Sequence, residues 1–165
     1  MPEYELPEFT RSLRALAVPS TPGSDHDRVF KPLIAARTAA QKVQSVDAQV
    51  AAFDPTRLER EWREAIAALA SARHAASAPD RRALEAELDT LAAPVWAALK
   101  ALQVAGTAAR AATPDQRRAL WQRWVDAVQR TFDAADDWWR AALPVLGDPR
   151  GRRGALWRRV LGRSS

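Results

Sequence analysis

Apolar side chains recur along most of this chain at alternating intervals of four and three residues. Leu58, Trp62, Ala65, Leu69, Ala72 and Ala76 follow that rhythm, which places one stripe on one face of an α-helix. Asp54-Pro55 stands before it as a cap and a first-turn proline. The opposite face, Arg57, Arg60, Glu61, Arg63 and Glu64, is laced with charges of both signs at helical spacing.

Three more segments read the same way. Val29, Leu33, Ala36, Ala40, Val43 and Val50 predict a helix capped by Asp27 and running to about Phe53, with one seven-residue step that passes over Asp47. Leu84, Leu88, Leu91, Val95, Ala98, Leu102 and Ala105 predict a helix announced by Ser77, Pro79 and Asp80 and closed by Gly106 as the residue after its C-cap. Pro94 interrupts this third segment by removing an amide. The rhythm continues through it, which predicts one bent helix rather than two. Thr113, Pro114 and Gln116 form a capping signature for the last segment. Trp121, Val125, Val128, Phe132, Ala135, Trp139, Ala142 and Leu146 carry its stripe to Pro144 and Gly147.

A shorter stripe, Leu6, Phe9, Leu13 and Leu16, predicts a short helix before a loop rich in proline, glycine and serine. No segment alternates with period two, so no strand is expected. The connections near residues 53–55 and 76–79 are short and place successive helices antiparallel and adjacent. The expected fold is therefore all-α: an up-down bundle of about four long helices over residues 25–146, preceded by a short helix and loop (1–24) and followed by a basic linker and short peptide (147–165). Stripes within one chain can satisfy one another. The alternative is a set of extended, coiled-coil-like hairpins that require a second copy.

Composition sharpens this picture. Alanine supplies 36 of the 165 residues, so helix propensity is very high and the larger core-forming side chains are few. Cysteine is absent, which excludes disulfides, thiolate metal sites and cysteine nucleophiles. The N-terminus is acidic and lacks an apolar run, so no signal peptide is expected, and no stretch is long enough to span a bilayer; a cytoplasmic setting is expected.

The net charge of +5 is localised. Residues 147–165 carry six arginines (Arg150, Arg152, Arg153, Arg158, Arg159 and Arg163) against the single acid Asp148, so the rest of the chain is balanced. On a helix, Leu156, Trp157, Val160 and Leu161 share one face of this segment and Arg158 and Arg159 leave on the other. Such a cationic amphipathic peptide suits a groove on a protein partner. It also suits two alternatives. At an anionic membrane surface, burying four apolar side chains gives roughly 6–10 kcal/mol, and ordering the segment costs a comparable amount. On nucleic acid, the arginines would neutralise phosphates and give a log K against log salt slope of about −5.

Catalytic chemistry finds little footing. His26 and His74 each lack a carboxylate three residues earlier, so the Glu-x-x-His pattern of di-iron bundles is absent. Asp133, Asp136 and Asp137 cluster at helical spacing but have Arg130 and Arg140 as neighbours, which suggests a solvated face rather than a cation site. No serine sits in a nucleophile elbow and no glycine-rich loop precedes a helix. No enzyme activity, metal or cofactor is expected.

The seven tryptophans stand out. Trp62, Trp121 and Trp139 fall on the seams, whereas Trp96, Trp124 and Trp138 lie one helical step aside. Trp124 and Trp138 thus predict a spare apolar face on the last helix, available to a partner. The expected function is a non-catalytic accessory or scaffold protein that binds a protein partner through that face and the tail.

Overall fold

The computed structural model describes residues 25–74 and 76–146. Among these residues the chain forms six α-helices and no strand: α1 (Asp25–Gln41), α2 (Val46–Ala52), α3 (Pro55–Arg73), α4 (Ala78–Leu91), α5 (Ala93–Arg110) and α6 (Pro114–Leu146). The architecture is an all-α helical bundle. Its axis is α6, whose 33 residues span about 50 Å at 1.5 Å per residue. Helix α5 lies along the first half of α6, while α1 and α4 also touch it. Helix α3 packs on α1, α4 and α5, and the short α2 bridges α1 and α5. Buried side chains from every helix join in one hydrophobic cluster, so the stripes are satisfied within a single chain.

Two of the four expected segments are each two helices. The first breaks at residues 42–45. The amides of Lys42 and Val43 donate to Ala39 and Ala40 at 3.2 and 3.4 Å, three residues back, and tighten the end of α1. Ser45 then caps α2: its hydroxyl accepts from Ala48 N at 3.1 Å and its carbonyl from Gln49 N at 3.0 Å. The turn redirects the chain so that Val46, Gln49 and Val50 are buried. Its sequence signal was the seven-residue step, where the helical rhythm pauses. The same segment starts two residues before the expected cap Asp27, so His26 lies in the first turn of α1.

The second break falls at Ala92 and replaces the single bent helix expected through Pro94. Ala92 sits at φ −82° and ψ 0°, and its amide reaches both Leu88 O and Asp89 O at 3.1 Å. Helix α5 restarts at Ala93, which puts Pro94 in a first turn. There the missing N–H costs nothing, and the ring escapes the clash it would have with a carbonyl four residues back.

Gly106 is not a terminating residue. Helix α5 continues to Arg110, and Gly106 is buried inside it. A Cβ there would lie 3.0 Å from Val50 Cγ1 and 3.7 Å from Trp124 Cδ1, so the absent side chain lets α2 and α6 approach α5. Helix α3 ends at Arg73, where the amide of His74 closes onto Ala70 O at 3.0 Å, three residues before the stripe ends at Ala76. Elsewhere the predicted ends hold. Asp54 Oδ1 accepts from Thr56 N at 3.1 Å, and Ser77 Oγ accepts from Asp80 N at 3.4 Å.

Candidate functional site

The spare tryptophan face does not exist. Trp124 is 0% exposed and Trp138 2% exposed, so both belong to the core and neither offers a surface to a partner. The physical reason is the central position of α6. A helix with neighbours on several sides buries a wider arc than one seam requires, so positions one step off the stripe are covered as well. The seam also drifts towards the C-terminal end of α6, where Trp138 is buried and Trp139 half-buried.

These side chains enter aromatic clusters within the core. Phe30 meets Trp62 edge-on at 5.9 Å between ring centroids, and Trp62 meets Trp138 at 5.3 Å. Phe53 contacts Trp124 at 5.9 Å and Phe132 at 6.4 Å. Edge-to-face geometry of this kind adds about 0.5–1.5 kcal/mol per pair beyond area burial. Trp138 Nε1 donates to Leu88 O at 3.0 Å, and Trp121 Nε1 donates to Gln49 Oε1 at 3.3 Å. The Nε1 of Trp62 is buried without a hydrogen-bond partner. Tryptophan therefore works here as filler between alanine-lined helices, which composition alone did not distinguish from an interface.

Trp96 is half-buried beneath the guanidinium of Arg63, whose central carbon lies 4.2 Å from the ring centroid. Arg63 also reaches Asp89 at 2.7 Å and Glu59 at 3.1 Å. The cluster ties α3 to α4 and α5 at the surface. A cleft of about 370 Å³ opens beside it, lined by Arg63, Ile66, Arg82, Glu85, Ala86 and Asp89. Its two arginines, Arg63 and Arg82, balance its two carboxylates, Glu85 and Asp89, in charge. A second cleft of about 300 Å³ lies where α2, the start of α3 and α5 meet, with Phe53, Gly106 and Trp124 among its walls and Asp54, Thr56 and Arg110 beside them. Its carboxylate, Asp54, is engaged in capping α3.

The acidic residues of α6 do not converge. Asp133 and Asp137 are exposed, and half-buried Asp136 is paired with Arg140 at 2.6 Å. Among the described residues no group of three histidine, cysteine, aspartate or glutamate side chains is placed to hold a metal ion. His74 stands half-buried at the C-cap of α3. No helix of the described residues is long and apolar enough to cross a membrane.

Among the described residues, the large apolar side chains that stay exposed are Val104 on α5 and Leu143 on α6. The remaining candidate residues, Arg150, Arg152, Arg153, Leu156, Trp157, Arg158, Arg159, Val160, Leu161 and Arg163, lie outside the described residues, as does the expected short helix before residue 25. No protein-family model, no curated protein and no solved structure matches this chain.

Proposed function

We propose that this chain is a non-catalytic accessory or scaffold protein of the cytoplasm, in which the helical bundle carries a cationic, tryptophan-bearing C-terminal segment to a protein partner. The observation that supports the reading is the separation of charge. Six arginines and one acid fall in residues 147–165, directly after α6, while the preceding residues are balanced. The bundle buries Trp62, Trp121, Trp124 and Trp138 in its own core, which extends to Leu146 at 2% exposure. In this reading recognition falls to the segment that follows. Leu156, Trp157 and Leu161 act as apolar anchors, and Arg150, Arg152, Arg153, Arg158, Arg159 and Arg163 meet carboxylates on the partner.

The test is an affinity isolation with the full chain, run with and without nuclease, beside full-length variants W157A and R152Q/R153Q/R158Q/R159Q. A defined protein that survives nuclease and is lost with both variants is the expected result. Loss on nuclease treatment, together with a log K against log salt slope of about −5 for the isolated nucleic acid, would replace this reading with phosphate binding. Retention of the same protein by both variants would overturn any role for the segment.

A further inference from the structure

We draw no further inference here: the strongest candidate, the outward face of α5 where Ala97, Ala101 and the 67%-exposed Val104 lie in one stripe, is an unpartnered apolar surface of small residues, and nothing in the structure shows what covers it.

Discussion

The indole of Trp138 donates its N–H to the backbone carbonyl of Leu88 at 3.0 Å, joining α6 to the last turn of α4 across 50 residues of sequence. The same carbonyl accepts the amide of Ala92, the residue at which the helix breaks. One oxygen thus serves both the end of α4 and the anchoring of that end on the central helix. Trp62, in ring contact with Trp138, has an equally buried indole whose N–H has no such acceptor.

That contrast gives a paired test. W138F removes a satisfied donor, whereas W62F removes an unsatisfied one, and both lose similar volume. W138F is expected to cost about 1 kcal/mol more, the net worth of a typical buried hydrogen bond. Urea denaturation of the two full-length variants measures it. Equal losses would mean that the Leu88 contact adds nothing to stability.

Gln49 is fully buried, accepts from Trp121 through Oε1, and leaves Nε2 without a partner. Q49E retains the acceptor and places a carboxyl in the core. Burial disfavours the ionised form, so the folded-state pKa should rise above the unfolded value of about 4.3. The sign follows from linkage. Stability relative to the parent is best preserved below the unfolded pKa and falls as pH rises towards the folded pKa, by about 1.4 kcal/mol per unit in that window. Melting temperatures of variant and parent compared at pH 4 and pH 7 report the difference, and a pH-independent gap would contradict the buried setting.

Gly106 stands where α2, α5 and α6 converge. G106A gains about 1 kcal/mol of helix propensity but forces Val50 Cγ1 outward from 3.0 Å. The expectation is a net loss in the parent and a smaller loss, or a gain, when V50A makes room. A double-mutant cycle isolates this coupling, which for residues in contact runs to about 0.5–3 kcal/mol. Strict additivity would show that the contact carries no strain.

Ser45 holds the start of α2 by one side-chain acceptor. S45A should cost about 1 kcal/mol, the usual value of an N-cap. S71A, at an exposed position inside α3, should change stability little or raise it slightly, because alanine is the better helix former. Chemical denaturation of both variants checks the pair. A smaller loss in S45A than in S71A would remove the capping role.

The N-terminal half of α3 and most of α6 could be read directly because Leu58 and Trp62, or Val125, Val128, Phe132 and Ala135, recur at helical spacing and all become buried, whereas towards the end of α3 the buried positions shift to Ile66 and Ala70 and the expected Ala72 is exposed. The two helix breaks could not be read directly. Across Pro94 the apolar rhythm is continuous, and sequence periodicity records which side chains share a face, not whether the axis bends or restarts. At residues 42–45 the signal existed, a seven-residue pause from Val43 to Val50 that contains a serine with good capping chemistry, but alanine-rich flanks favour helix on either side and mask it.

The one-dimensional pattern by itself determined the helical class, the proline-marked starts of α3 and α6, and the concentration of positive charge after residue 146, since these follow from local propensity, capping and arithmetic. Only tertiary structure decided the fate of the tryptophans. Whether Trp124 and Trp138 meet solvent depends on how many neighbours surround α6. That number is set by the closure of the other helices around it, through contacts between residues far apart in sequence such as Trp62 with Trp138 and Phe53 with Trp124.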